Sequence, residues 1–166
     1  MMKNKSFSFA ILIAIAGLAL AVTGCQVGVN KDLTTGLSYA YKGLGAEEVF
    51  LSKDNQVFKS TDFQLGSRIV MHFSGVSGFK AVEGKVYPGM SIRVTDSAGA
   101  AVIDAPDLFT QYDAEGLDPE VAAELSGNIT IGTPMVNGGE YLWEVKVWDK
   151  KGDGTINASM NFTAVE

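Results

Sequence analysis

Tyr141-Leu142-Trp143-Glu144-Val145-Lys146-Val147 alternates with a period of two. Tyr141, Trp143, Val145 and Val147 make one large apolar face, and Glu144 and Lys146 put charge on the other. Successive side chains of an extended strand point to opposite sides, so the pattern predicts a half-buried β-strand with its odd positions in a core. The same alternation assigns Trp148 to the outer side or the strand end. Gly138-Gly139 turns the chain into this strand, Asp149 to Gly154 is a polar turn after it, and Ile156, Ala158, Met160 and Phe162 return as its antiparallel partner.

Upstream, the alternation recurs between turn residues at intervals of roughly eight to twelve positions, the habit of an all-β sandwich or barrel. Leu37, Tyr39 and Tyr41 mark a first strand, and Val49 to Leu51 and Val57 to Lys59 flank a Lys53-Asp54-Asn55 turn. Ile69, Met71 and Phe73 face one way, with Arg68, Val70 and His72 opposite; Met90, Ile92 and Val94 precede an Asp96-Ser97-Ala98-Gly99 turn into Ala100 to Ile103. One brief helix is predicted over Pro119 to Leu125. Asp118 is placed to cap it, Pro119 suits its first position, Val121 and Leu125 share a face, and Ser126-Gly127 closes it. Asn128 to Ile131 gives a further strand. The expected fold is an all-β antiparallel sandwich of about seven to nine strands with that one short helix.

Gly139 through Phe162 resembles the last two strands of an immunoglobulin-like sandwich, in which a Tyr early in the penultimate strand ties down a corner with its hydroxyl. The likeness is weaker over Leu37 to Ile131, and it departs from the family in lacking an inter-sheet cysteine pair and in carrying the Pro119 to Leu125 helix. It implies an immunoglobulin-like topology of the kind carried by a broad class of Gram-negative envelope lipoproteins, and it fixes no activity.

The N-terminus supplies a different kind of signal. Met1 to Lys5 holds two lysines and no acid, and Phe9 to Val22 is an apolar or glycine run of about fourteen residues, too short for a helix to cross a core of roughly 30 Å. Val22-Thr23-Gly24-Cys25 then resembles the bacterial lipobox. That resemblance implies cleavage between Gly24 and Cys25, a signal peptide over 1–24, and acylation of Cys25 as a lasting membrane anchor. Residues 25–36 read as the lipidated Cys and a tether, and 37–166 as the domain. Gln26 follows the cysteine where Asp resembles an inner-membrane retention signal, so the expected address is the outer membrane.

Cys25 is the single cysteine, which leaves the mature domain without disulfide or thiol chemistry. Losing Lys3 and Lys5 makes the formal net charge of −6 two units more negative, which argues against nucleic acid and against electrostatic docking on anionic lipid. With one histidine, His72, zinc sites and Cys-His or Ser-His-Asp chemistry are not expected, and no cofactor is called for. Ser77-Gly78-Phe79-Lys80 matches a Ser-x-x-Lys pattern without its companion motifs. Asp149 and Asp153 sit on a glycine turn that resembles the start of a calcium loop, although lysines stand where ligands belong; a plain hairpin turn is the preferred reading. Asp104, Asp107, Asp113, Glu115 and Asp118 cluster in the longest loop, as a solvated surface or as the acid and base of a glycan-active enzyme. Trp148, Tyr87 and Tyr112 are the candidate ligand contacts, since aromatic rings stack on sugars and pack at interfaces; the other reading puts them in a second layer of the sandwich. The favoured function is a lipid-anchored, non-enzymatic binding or interaction module for an envelope protein or glycan, with a structural envelope subunit as a further alternative.

Overall fold

The computed structural model describes residues 27–166, so Gly24, Cys25 and the signal segment lie outside the described residues. In chain order the elements are β1 (Val27–Lys31), β2 (Ser38–Lys42), β3 (Glu48–Lys53), β4 (Gln56–Val57), β5 (Asp62–Gln64), β6 (Arg68–Ser74), β7 (Pro88–Asp96), β8 (Ala101–Ala105), α1 (Pro119–Ala122), β9 (Glu124–Thr130), β10 (Glu140–Asp149) and β11 (Thr155–Val165). They form two sheets, a large one in the order β1-β2-β11-β10-β7-β8 and a small one in the order β4-β3-β6-β9. β5 adds to the large sheet by running parallel to the end of β11, where Phe63 pairs with Ala164.

The alternation of β10 is matched in phase by both neighbours. Trp143 pairs with Met160 of β11 and Val94 of β7, and Val145 with Ala158 and Ile92. Because paired residues project from the same face, the three strands present one continuous apolar surface. The small sheet answers it with Val49 and Leu51, with Ile69, Met71 and Phe73, and with Leu125 and Ile129, all buried. At Gly127 the sheets approach so closely that a Cβ would lie 2.9 Å from Ile92 Cδ1. Phe63 closes the core edge-on to Trp143, with ring centroids 6.4 Å apart, and lies flat on Phe162 at 4.5 Å.

The chain alternates between layers, from β6 in the small sheet to β7 and β8 in the large one, back to β9, and over again to β10 and β11. This is an immunoglobulin-like β-sandwich. Its corner is tied as the resemblance implies: the Tyr141 hydroxyl accepts the backbone N–H of Val136 at 3.0 Å, in the crossing from β9 to β10. The β3–β4 hairpin turns on Asp54 and Asn55, both at positive φ (52° and 61°), as a two-residue turn between twisted strands requires.

Three expectations are corrected. The described strands number eleven, because β1 fell in the stretch read as tether and the three-residue β5 is too short to show alternation. The helix is a single turn, Pro119–Ala122, and Leu125 belongs to β9 together with Ser126 and Gly127. Val121 is 56 % exposed and Ala122 is the buried residue of that turn. Leu125, Gly127 and Ile129 bury with period two against the large sheet, which outweighs the four-residue spacing of Val121 and Leu125. Pro119 does open the turn, but Asp118 makes no side-chain cap; its carboxylate takes the Lys85 ammonium at 2.7 Å. Finally, the stretch read as tether holds β1, paired residue for residue with β2 from Val27–Lys42 to Lys31–Ser38, so the fold starts at least ten residues before Leu37.

Trp143 is fully buried, and Trp148, on the opposite side of β10, is half-buried over Gly89, whose backbone it covers. Trp143→Ala should therefore cost ~3–5 kcal/mol, enough to unfold or nearly unfold the domain, and Trp148→Ala clearly less. Urea denaturation of the two variants checks this; equal losses would mean that the β10 register is wrong.

Candidate functional site

One end of the sandwich gathers the Gly75–Tyr87 connection, the loop from Pro106 to Asp118 and the β10–β11 turn. Trp148, Tyr87 and Tyr112 all lie there, each half-buried. Trp148 pairs with Gly89 of β7, and Tyr87 O accepts the Lys150 N–H at 2.8 Å. The Tyr87 ring lies 4.7 Å beneath the Lys151 ammonium, and Tyr112, in a 3₁₀ turn at Thr110–Tyr112, meets Phe109 edge-on at 6.0 Å. The structure thus brings the three aromatics to one end, with each ring packed on a different neighbour.

Polar ties hold this end together. Asp149 is buried, and its two carboxylate oxygens accept the backbone N–H groups of Lys80 (2.7 Å) and Lys151 (2.9 Å), joining the Ser77–Lys80 loop to the β10–β11 turn. Those oxygens serve the turn, and Asp153 is exposed on it, which fits the hairpin reading over the calcium loop. From the acidic cluster, Asp107 and Asp113 both bind the Lys150 ammonium, Asp107 at 2.7 Å. Asp107 also accepts the N–H groups of Phe109 (2.9 Å) and Met90 (3.3 Å). Burial pushes the Asp107 carboxyl up, but Lys150 and the two backbone donors outweigh it and hold the group below the ordinary carboxylate value. Burial likewise presses on the Lys150 ammonium, and its two carboxylate partners hold its pKa above the ordinary lysine value. Asp118 pairs with Lys85, so the cluster is divided among lysines and does not converge as an acid–base pair.

On the outer face of the small sheet, Ser52 Oγ lies 2.7 Å from His72 Nε2, and the Phe50 ring stacks on the imidazole at 4.8 Å and 13°. Burial lowers the His72 pKa, an effect partly offset by Glu124, so the ring is neutral near pH 7. A hydrolytic triad needs a carboxylate orienting the other imidazole nitrogen. Glu124 instead accepts Ser74 Oγ–H (2.8 Å) and the Gly75 N–H (3.2 Å). The Ser52–His72 contact is diagonal between β3 and β6, and sequence reasoning had no register with which to find it.

The concave site lies elsewhere, where the two sheets splay at the edge carrying β1 and β2 on one side and β3 and β4 on the other. A cleft of about 280 Å³ opens there. Leu37 and Tyr39 line one wall, Val49, Leu51 and Phe58 the other, and Asn30, Lys31, Asp32, Glu48 and Lys59 its rim. Tyr39 stacks on Tyr41 at 6.5 Å, and Phe58 is propped against Phe63 at 5.7 Å, so both aromatic walls rest on further rings. Burial, then Tyr41 and Glu48, raise the Tyr39 pKa, which keeps its hydroxyl a donor. The Thr34 N–H bonded to Asp32 at 2.7 Å lowers that carboxyl below its ordinary value, keeping a negative charge on the rim. Volume and composition suit a small polar group with an apolar side, near the lower end of ligand-site sizes. Reading residues 25–36 as a tether hid Asn30, Lys31, Asp32 and Thr35 of its lining; the Val27-Gly28-Val29 alternation was the signal available for them.

No family model and no curated protein matches the chain.

The Lys150 side chain is 16 % exposed, so its ion pairs are largely out of water. Lys150→Met should cost about 1–3 kcal/mol through the stranded carboxylates. Asp107 is depressed in the folded state, so its contribution is complete above the ordinary Asp pKa of about 3.9 and disappears as pH falls through the lower folded value. The stability difference between wild type and Lys150→Met should thus narrow as the pH drops from about 5 to about 2. A gap that stays constant in denaturant titrations across that range would assign the loss to packing.

Proposed function

We propose that this chain is a lipid-anchored module of the bacterial cell envelope, held at the outer membrane through Cys25, that binds an envelope protein or glycan without transforming it. The observation that carries the binding half is the edge cleft. Its aromatic walls offer an apolar contact surface, and its rim offers hydrogen-bond donors and charges of both signs. Such a mixture suits one sugar ring or one side chain of a larger partner. The anchoring half rests on the lysine-led apolar segment ending in Val22-Thr23-Gly24-Cys25.

A binding role is favoured over glycan hydrolysis because Asp107 and Asp113 are both engaged with Lys150. The loop-end aromatics Trp148, Tyr87 and Tyr112 become secondary contacts, since each is half-buried against its own neighbours.

Two measurements test the two halves separately. Cys25→Ser should accumulate as uncleaved precursor with no incorporated fatty-acid analogue; equal label on the Ser variant would end the lipoprotein reading. For the cleft, a photo-crosslinking residue at Lys59, exposed on its rim, should trap a discrete partner in cells. Adding Tyr39→Ala and Phe58→Ala should reduce that adduct several-fold while the protein remains folded. An adduct that survives both truncations would place binding elsewhere.

A further inference from the structure

The register across the large sheet defines its outer face, and that face begins at the anchor. Val27 pairs with Lys42, Lys42 with Thr155, and Thr155 with Trp148. One row along, Val29 pairs with Ala40, Ala40 with Asn157, and Asn157 with Lys146. Residues paired in this way point to one side, so Val27, Val29 and Trp148 share a face with Lys42 and Lys146. The next row starts at Lys31 and runs through Ser38, Ser159 and Glu144 to Arg93, whose partner on β8 is Asp104.

Three features distinguish this face. In the three rows nearest the anchor the cations Lys31, Lys42, Lys146 and Arg93 outnumber the carboxylates Glu144 and Asp104, in a chain where acids exceed bases by 19 to 13; Glu140 and Asp62 lie on the same face at its far end, where Glu140 pairs with Thr163 and Thr163 with Asp62. Val27 and Val29 are 69 % and 76 % exposed and side by side on it, and Leu33, 90 % exposed, sits in the turn that follows. Its other positions are mostly small and polar, leaving a shallow depression of about 280 Å³ that carries Arg93 and Lys146 over a floor that includes Ser91 and Asn157.

The chain length outside the described residues decides what this face meets. Cys25 precedes Val27 by two residues, a span of at most ~7 Å when fully extended. The headgroup layer on each side of a bilayer is roughly 5–8 Å deep. An acylated Cys25 therefore cannot let Val27 leave the interface. We propose that the outer face of the large sheet lies against the membrane that holds the anchor, with Val27 and Val29 in the headgroup layer and Lys31, Lys42, Lys146 and Arg93 against lipid phosphates. Trp148, with the Lys146 ammonium 6.0 Å from its ring, is then an interfacial residue of the aromatic and snorkelling-lysine kind. The net charge argues against docking on anionic lipid for the chain as a whole, whereas the three rows of this face nearest the anchor carry the opposite local balance.

This inference rests on the lipoprotein reading, and the test separates the two. Cys25 is consumed by lipid, so one introduced cysteine can be labelled alone in the mature, acylated protein. Asn157→Cys on the proposed membrane face and Ser126→Cys on the outer face of the small sheet would each carry an environment-sensitive fluorophore. The proteins are reconstituted in vesicles of phosphatidylethanolamine and phosphatidylglycerol containing a lipid-borne quencher. The label at 157 should be quenched several-fold more than that at 126, and Val27→Asp with Val29→Asp should abolish the difference while the denaturation midpoint is kept. Equal quenching, or stronger quenching at 126, overturns the proposal. So does a label at 157 untouched by lipid and shielded by soluble envelope glycan fragments, which would make this a glycan-binding face. Intact mass and vesicle flotation are read first: unacylated protein that does not float overturns both readings, whereas acylated, floating protein without quenching at 157 overturns only the orientation.

Discussion

β10 lies between β7 and β11 in a register that stacks Trp143 on Val94 and Met160 and Val145 on Ile92 and Ala158, and most other features follow from that alignment. A slip of one residue would turn Tyr141, Trp143, Val145 and Val147 to water and draw Glu144 and Lys146 into the core. That exchange is far too costly for a domain whose net stability is ~5–15 kcal/mol. The phase of one strand therefore determines the phase of the two beside it. The small sheet must then present a complementary surface, which it does with β3, β6 and β9, down to a glycine where the layers come closest.

The polar ties work within limits that this core sets. Tyr141 is placed by its ring on Phe162, and only then does its hydroxyl reach the Val136 N–H and hold the crossing between the layers. At the loop end, Asp149 ends β10 and Lys150 follows it into the turn, so the core also delivers the acid that binds the Lys80 N–H and the ammonium that collects Asp107 and Asp113. With so much of their bonding capacity used internally, these groups hold the loops of this end together. The cleft differs: its aromatic walls are braced from behind by Tyr41 and Phe63, while its rim is exposed.

The large sheet also shows how an acidic protein can carry a locally basic end on one face. Charge in a sheet is distributed by row as well as by strand, and Lys31, Ser38, Ser159, Glu144 and Arg93 become neighbours only when five strands are in register. Net charge averages over such rows. The same geometry places the first described residue at the end of the sheet where the β10–β11 turn lies, because Val27, Lys42 and Thr155 form one row. The position of the anchor proposed at Cys25 relative to each face is thus a matter of strand pairing.

By itself the sequence determined the strands whose burial repeats every two residues over a long stretch, β6, β7, β10 and β11, together with the two-layer class, the core role of Trp143 and the outward side of Trp148. It also placed Tyr141 at its corner, because a resemblance between hairpins carries that position with it. Alternation is a property of a single chain segment and can be read without knowing its neighbours. Only the tertiary structure decided that Leu125 is a strand residue, since one apolar pair fits a helix turn and a strand equally until the facing sheet is present. It alone made Val27–Lys31 a strand, because those residues depend on β2 for their partners. Ser52 beside His72, Lys150 between Asp107 and Asp113, the cleft between two hairpins and the charged row across the large sheet all join residues far apart in the chain. Their proximity is set by register and by the way the layers splay, and neither is written in the local pattern of any one segment.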